Sequence, residues 1–311
     1  MSALNQPHFQ DAESARLYLE AVRWPDGPIC PHCGSTEGAY QLTGKSHRHG
    51  LHKCKDCREQ FTVTVGTVFE RSKIALNVWL QAVYLLCSSK KGISAKQLER
   101  MLGVTYKTAW FMSHRIREAM TDESYSSPMG GEGKIIEADE TYIGGKEKNK
   151  HSNKKTREGR GSVGKQPVVS LIERGGNVRS FHMPEVSART IGPILHYHVN
   201  RKSYLVTDES RVYSAVKAQV AVHEAVNHKS GEYVRDKLWH TNTAENYFSI
   251  LKRGIVGTYH HVSQQHLKRY VGEFDFRYNN RKVNDGERAD IALKGIEGKR
   301  LTYQESRTQK I

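Results

Sequence analysis

The 311-residue chain has 37% hydrophobic and 26% charged residues, a composition that suits a folded protein with room for two domains. Its 48 Lys and Arg against 33 Asp and Glu give a formal net charge of +15, which favours a polyanionic partner such as nucleic acid. A mean hydropathy of −0.67 and short apolar runs argue against a membrane protein or a membrane partner. Because the N-terminus lacks a basic start followed by an apolar stretch, we expect a cytoplasmic location.

The N-terminal part combines a predicted helical segment over residues 1–27 with a cysteine-rich module over 28–70. Four of the five cysteines form two Cys-x2-Cys pairs separated by 20 residues, the spacing of a tetrathiolate zinc site. The four predicted ligands are Cys30, Cys33, Cys54 and Cys57. Gly34 allows the first turn to fold back on itself. The alternatives are disulfides, which a reducing cytosol disfavours, and a redox pair, which needs one Cys-x2-Cys unit alone. We therefore expect a zinc ribbon with structural Zn²⁺.

The segment 71–122 changes to the periodicity of helices and resembles a helix-turn-helix module. Ser94 can cap one helix, Gly103 can end it, and a second helix starts near Thr105. Several side chains of the second helix are candidates for contact with DNA. The predicted DNA contacts there are Tyr106, Lys107 and Arg115, with His114 and Arg117 also on this helix. The alternative is an ordinary three-helix core with a solvated basic face.

The C-terminal half is predicted as an α/β domain over 135–285, after a Gly/Ser-rich linker at 126–134 and before a tail at 286–311. A polybasic stretch from Lys146 to Lys165 is predicted to be a loop that contacts phosphate. The expected elements are a strand at 134–143, a hairpin of strands at 167–174 and 178–186, a helix at 188–199, strands at 202–208 and 218–226, and long helices to the end. This order indicates a mixed sheet covered by helices.

Acidic residues interrupt this pattern where strands end. Asp139 and Asp208 each lie at or beyond the end of an apolar strand, where a carboxylate is costly unless it is paired or binds a cation. Glu137 shares a strand face with Asp139, whereas Glu140 and Glu209 are predicted to point elsewhere. A third acid on a helix, Glu245, shares a helix face with Lys252. The alternative for this pair is a solvated surface.

Three motifs together resemble a known family. They are ADETYIGGK around Asp139, VTDES around Asp208, and TAENYFSILKRGIVGTYHHVSQQHLKRYVGEFDFRYNNR from Thr243 to Arg281. They resemble the bacterial DDE-type insertion-sequence transposases that carry an N-terminal zinc ribbon, the ISXO2-like family. The similarity extends from about residue 28 to residue 281, and its last motif is long and specific.

The resemblance implies an RNase H-like catalytic domain in a multi-domain α/β protein, with Asp139, Asp208 and Glu245 as the catalytic triad. It also implies Lys252 as the basic residue two turns after the third acid, and two Mg²⁺ or Mn²⁺ ions as cofactors. Because some relatives carry Asn at the third position, Asn246 is the alternative to Glu245. We prefer Glu245, since a carboxylate binds a metal ion more strongly than an amide does.

The implied reaction is cleavage at the ends of an insertion sequence and joining of the 3′-hydroxyls to target DNA. Lys252 and Arg253 would contact phosphate near the scissile bond. The expected partners are double-stranded DNA and further copies of the chain, in a bacterial, nucleoid-associated setting. Two alternatives stay open: a DNA-binding regulator with an inactive nuclease fold, and a metal-dependent nuclease without joining activity.

Overall fold

The structure is a computed structural model that describes residues 3–121, 127–145, 149, 151–155, 163–213, 219–227, 234–235 and 238–304. Eleven residues of the polybasic loop (146–148, 150 and 156–162), linker residue 126 and tail residues 305–311 lie outside the described residues. Predictions about those residues therefore stay predictions.

Helices account for most of the secondary structure. They are α1 (Pro7–Gln10), α2 (Ala12–Arg23), α3 (Leu76–Ser88), α4 (Ala95–Leu102), α5 (Tyr106–Met120), α6 (Ala188–His198), α7 (Asn242–Gly254), α8 (Gln264–Asn279) and α9 (Asp285–Lys294). Short 3₁₀ helices occur at Ala3–Asn5 and Ser152–Lys154, and a π-helical turn, Ile255–Tyr259, follows α7. Within the described ranges, none of the helices combines the length and apolar character needed to cross a bilayer.

The strands form two sheets. They are β1 (Ala39–Gln41), β2 (His52–Cys54), β3 (Gln60–Phe61), β4 (Ile135–Ile143), β5 (Gln166–Glu173), β6 (Val178–His182), β7 (Tyr204–Asp208) and β8 (Val222–Val226). The first sheet has the order β1-β2-β3 and is antiparallel. The second has the order β6-β5-β4-β7-β8 and is mixed, as the sequence predicted for the C-terminal half.

The chain divides into two compact units, one formed by Met1–Thr121 with Lys282–Thr308 and one formed mainly by Asp122–Arg281. Helix α9 therefore groups with the N-terminal unit, where it packs on α2, α3 and α5. It buries Ala289, Ala292 and Leu293, and Arg288 donates a hydrogen bond of 3.0 Å to the Cys87 carbonyl. The sequence suggested a tail after residue 285, because an apolar face does not reveal which surface it will cover.

Helices α4 and α5 follow local signals closely. The Ser94 side chain accepts from the Gln97 N–H at 3.2 Å, and Thr105 does the same for Thr108 at 3.3 Å. Between the helices Gly103 has a φ of 64°, the left-handed conformation in which a side chain would clash with the backbone. The apolar face of α5 is buried as predicted, at Ala109, Met112, Ile116 and Ala119.

In the second unit, β4 is the central strand, antiparallel to β5 on one side and parallel to β7 on the other. One apolar cluster covers the face that carries Ile143, Val168 and Ile172, and the side chains of α7 and α8 complete it. Another cluster covers the opposite face with α6 and Tyr213. Burial on both faces explains the nearly continuous apolar sequence of β5. A charged side chain on β4 must therefore have a compensating partner.

Candidate active site and zinc centre

The four predicted zinc ligands converge in the N-terminal unit. The Sγ atoms of Cys30 and Cys57 lie 3.6 Å apart, those of Cys33 and Cys54 lie 3.7 Å apart, and all four lie within 4.8 Å of one another. Two Zn–S bonds of about 2.3 Å at a tetrahedral angle separate their sulfurs by about 3.8 Å. The thiol set therefore fits a structural Zn²⁺ ion.

The first turn has the predicted geometry, and the second favours a thiolate at Cys54. Gly34 has a φ of 78°, and its N–H donates a 2.9 Å hydrogen bond to the Cys30 carbonyl, so the predicted turn is present. The backbone N–H of Cys57, with a smaller contribution from that of Asp56, lowers the pKa of the Cys54 thiol to about 7. A lowered pKa favours the thiolate that a metal ion requires.

The predicted catalytic aspartates meet just beyond the point where the pairing of β4 with β7 ends. Asp208 ends its strand, as predicted, whereas Asp139 lies in the middle of β4, because pairing with β5 continues that strand to Ile143. Parallel pairing places Glu137 of β4 opposite Val206 of β7, so two residues further along both strands Asp139 reaches the level of Asp208. The carboxylates of these two residues lie with that of Glu140 in a group whose nearest oxygens are all within 4.8 Å. Oxygen donors this close suit a hard divalent cation.

Glu140 differs from its prediction, because strand alternation alone would point its side chain away from Asp139. The Tyr213 hydroxyl, which is fully buried, donates a 2.8 Å hydrogen bond to Glu140 Oε2. A glutamate side chain is long enough to bring its carboxylate close to those of Asp139 and Asp208, and this tyrosine holds one of its oxygens. Sequence reasoning missed both residues, since Tyr213 lies in a segment without a recognisable pattern.

The group of carboxylates is electrostatically strained. Burial, and to a lesser extent the charges of Glu140, Asp208 and Glu245, raises the pKa of Asp139 to about 7. Burial is also the main reason why the pKa of Glu140 is raised. A divalent cation would relieve the repulsion and replace the lost solvation. The site therefore fits a Mg²⁺ or Mn²⁺ ion held by Asp139 and Asp208, with Glu140 in reach.

Helix α7 carries the remaining predicted catalytic residues on an exposed face. Glu245 lies in its first turn, close enough for its charge to raise the pKa of Asp139. Among the described residues, Asp139, Glu140 and Asp208 form the group within 4.8 Å, and Glu245 lies outside it. Lys252 and Arg253 are exposed in the last turn, and Arg253 Nε donates to the Ser249 carbonyl at 3.1 Å. Asn246, the alternative third residue, is exposed as well.

The candidate DNA contacts of α5 separate into two groups. Tyr106 is 45% exposed at the start of the helix, and Lys107 beside it is exposed too. Arg115 is 5% exposed, and its Nη2 donates a 2.6 Å hydrogen bond to the Glu70 carbonyl. Its guanidinium also lies 5.6 Å from the centre of the Trp79 ring. This burial does not fit direct contact with DNA. His114 and Arg117 are buried in the same way, because the helix packs on more than one side.

Two comparisons with known proteins decide the family. Residues 130–279, within the second unit, match the ISXO2-like transposase domain, and residues 10–60 match the transposase zinc-ribbon domain. A protein of Halobacterium salinarum named "Uncharacterized protein in transposable element ISH50" is 30% identical over 285 residues. This match covers 86% of the present chain and 91% of that relative. The chain belongs to the ISXO2-like transposase family.

Membership bears on two sequence predictions. It confirms the predicted family and the predicted zinc ribbon, in which Cys54 ends β2 and Cys57 lies in the turn between β2 and β3. The relative comes from an archaeon, so the similarity is not restricted to bacterial elements. The helix-turn-helix prediction has no counterpart in these matches and stays a prediction.

Proposed function

We propose that this chain is a DDE-type DNA transposase. In this proposal it binds the terminal repeats of an insertion sequence, cleaves at its ends and joins the freed 3′-hydroxyls to target DNA by metal-dependent transesterification. The convergence of Asp139, in the middle of β4, with Asp208, at the end of the adjacent parallel strand β7, carries the proposal, since their carboxylate oxygens lie within 4.8 Å. The strand order β6-β5-β4-β7-β8 supports an RNase H-like assignment for this domain.

The catalytic roles follow from where the side chains lie. Asp139 and Asp208 would hold two Mg²⁺ or Mn²⁺ ions together with Glu245 from α7. Bound divalent cations would lower the pKa of an attacking water or 3′-hydroxyl and stabilise the leaving oxygen. Asp139 must be ionised to act as a ligand, and its pKa of about 7 without a cation makes proton release part of metal binding.

The exposed basic end of α7 is suited to bind the DNA backbone. Lys252 and Arg253 follow Glu245 by seven and eight residues, or about two helical turns, so Lys252 shares the helix face of Glu245. We assign both cations to phosphates next to the scissile bond. Arg253 can donate two parallel hydrogen bonds to a phosphate, whereas Lys252 supplies a compact charge.

End recognition is assigned to the N-terminal unit. The α4–Gly103–α5 arrangement presents Tyr106 and Lys107 at the start of the second helix, where a helix-turn-helix protein contacts base edges. Arg115 is left out of this proposed surface because it is buried. Bringing two element ends together requires more than one active site, so we propose that the active form is a homo-oligomer.

A cleavage and strand-transfer assay with Mg²⁺ tests this proposal. The substrate is labelled duplex DNA bearing the terminal repeats that flank the gene, and the variants are Asp139→Asn, Asp208→Asn and Glu245→Gln. The control is Asp26→Asn, which changes an exposed aspartate outside the site. We expect the control and the wild type to join ends to target DNA, and the three site variants to bind DNA without cleaving it.

Other outcomes contradict the proposal in distinct ways. A wild-type protein that binds the repeats and does not cleave them is a regulator with an inactive nuclease fold. Cleavage without joining identifies a nuclease instead. If activity survives in Glu245→Gln and is lost in Asn246→Ala, Asn246 is the third catalytic residue, and the proposed reaction is unchanged.

A further inference from the structure

Helix α7 begins in an unusual way. Within the described part of the chain, its N-cap residue Thr241 supplies no side-chain capping bond. A carboxylate from another element does so instead: Glu137 Oε2 accepts from the N–H of Thr243 at 2.8 Å and from that of Ala244 at 3.0 Å. These residues are second and third in the helix, whose N–H groups a capping side chain normally satisfies. A residue of β4 therefore caps α7.

In the structure Thr243 lies inside α7, and its hydroxyl donates a 2.9 Å hydrogen bond to Glu137 Oε1. Each oxygen of Glu137 thus has a partner in the first turn of the helix. The sequence predicts that Glu137 and Asp139 share one face of a strand, but it does not predict which helix Glu137 contacts.

Glu137 is fully buried, and its charge is compensated on two sides. Arg174 Nε donates to Glu137 Oε1 at 2.6 Å, and the positive end of the α7 dipole faces the other oxygen. The same guanidinium donates to the carbonyls of Leu238 at 2.6 Å and His240 at 2.8 Å, in the segment that leads into the helix. Glu137 and Arg174 together therefore fix both the approach to α7 and its first turn on the sheet.

This attachment lies next to the carboxylates of the active site. Glu137 and Asp139 share one face of β4 and are two residues apart, or roughly 6.6 Å along the strand. Glu245 directly follows Ala244, the last residue that Glu137 caps. The capping contact is thus a short, buried connection between the strand that holds Asp139 and the helix turn that holds Glu245.

We propose that Glu137 is a positioning residue of the catalytic metal site, which by capping α7 from β4 sets the placement of Glu245 relative to Asp139. The inference rests on the proposed function, in which Glu245 is a metal ligand. Glu137 does not itself bind the metal in this scheme, because its oxygens are already occupied by Arg174, Thr243 and Ala244. Removing its charge would loosen the first turn of α7 and with it the third ligand.

Calorimetric titration of Mn²⁺ into the full-length, zinc-loaded protein tests the inference without depending on turnover. The variants are Glu137→Gln, Glu245→Gln and the double variant, and the matched control is Glu132→Gln, an exposed glutamate before β4. Residues that orient metal ligands typically contribute 10-fold to 100-fold to affinity. We expect Glu137→Gln to weaken Mn²⁺ binding about 10-fold. We expect no further weakening when it is added to Glu245→Gln, and none from the control.

The double variant separates positioning from general stability. If Glu137→Gln weakens Mn²⁺ binding by the same factor with and without Glu245, its role is merely structural and the inference fails. Wild-type affinity in Glu137→Gln, with affinity lost in Glu245→Gln, overturns this inference alone. Wild-type affinity in Glu245→Gln overturns the proposed role of Glu245, and the inference with it.

A milder variant keeps the test decisive if Glu137→Gln does not fold. Thr243→Val removes one hydroxyl donor to Glu137 and leaves the two backbone donors in place. We expect a smaller loss of Mn²⁺ affinity in this variant, which again disappears in the Glu245→Gln background. A loss that persists there contradicts positioning through Glu245.

Discussion

Arg115 provides the most direct test of which basic residues in the N-terminal unit stabilise packing and which bind DNA. The structure assigns Arg115 to packing, since its guanidinium donates to the Glu70 carbonyl and lies over the rings of Trp79 and Phe111. Burial is the main cause that lowers its pKa, to about 10, so it stays charged at neutral pH in a partly desolvated place. Substitution by Met keeps much of the volume and removes the charge and the hydrogen bond.

The expected cost follows from these contacts. A hydrogen bond from a charged donor contributes about 1.5–3 kcal/mol, and relief of the buried charge offsets part of it. We therefore expect Arg115→Met to lower the free energy of unfolding by about 1–3 kcal/mol. For a unit of this size, that corresponds to a melting temperature lower by roughly 3–10 °C, measurable by circular dichroism.

The DNA side of the test uses Lys107→Met as the comparison, since Lys107 is exposed on the same helix. Each phosphate contact contributes about −0.9 to the slope of log affinity against log salt concentration. Lys107→Met should make this slope less negative by about 0.9 with little change in melting temperature. Arg115→Met should leave the slope unchanged. An Arg115→Met protein with wild-type stability and a reduced slope would refute the assignment to packing.

Three further outcomes are expected. Cys54→Ser removes one of four zinc ligands, and an even share of the roughly 10–16 kcal/mol of zinc binding corresponds to a loss of affinity of about 70-fold to 800-fold. Elemental analysis should find less than one zinc per chain, with Cys87→Ser, a buried cysteine outside the cluster, as the control that retains it. Asp139→Asn should stabilise the protein at pH 8 without added Mg²⁺ by up to about 4 kcal/mol, because a rise in pKa from 3.8 to about 7 is worth about 1.4 kcal/mol per unit. That gain should vanish below pH 4, because Asp139 is then protonated in both the folded and the unfolded protein and no buried charge is left to remove. Equal melting temperatures of variant and wild type at pH 8 would contradict this prediction. Gly103→Ala forces a side chain into a φ of 64° and should cost about 1–2 kcal/mol, seen as a lower melting temperature, and no change would mean that the turn adapts.

The predictions that the structure confirms rest on local chemistry. Two Cys-x2-Cys pairs suffice for a zinc site, because the turn geometry that brings two sulfurs together is encoded within each pair. Ser94 and Gly103 likewise mark the limits of α4 through bonds and torsion angles that involve only their neighbours. That Asp139 and Asp208 come together could be anticipated because a carboxylate in or at the end of an apolar strand has no local explanation, and because the flanking motifs resemble a known family; their catalytic role stays a prediction.

Tertiary structure alone decided which surfaces these local elements cover. The helical period of α5 does not reveal that Arg115 and Arg117 are buried, because that depends on what packs on the sides of the helix. Nor does it reveal that α9 packs with α3, far away in sequence. The contacts of Glu137 with Thr243 and Ala244, and of Tyr213 with Glu140, join residues more than 70 positions apart. A one-dimensional pattern carries the type and spacing of side chains, whereas the partner of a buried charge is set by how distant elements pack.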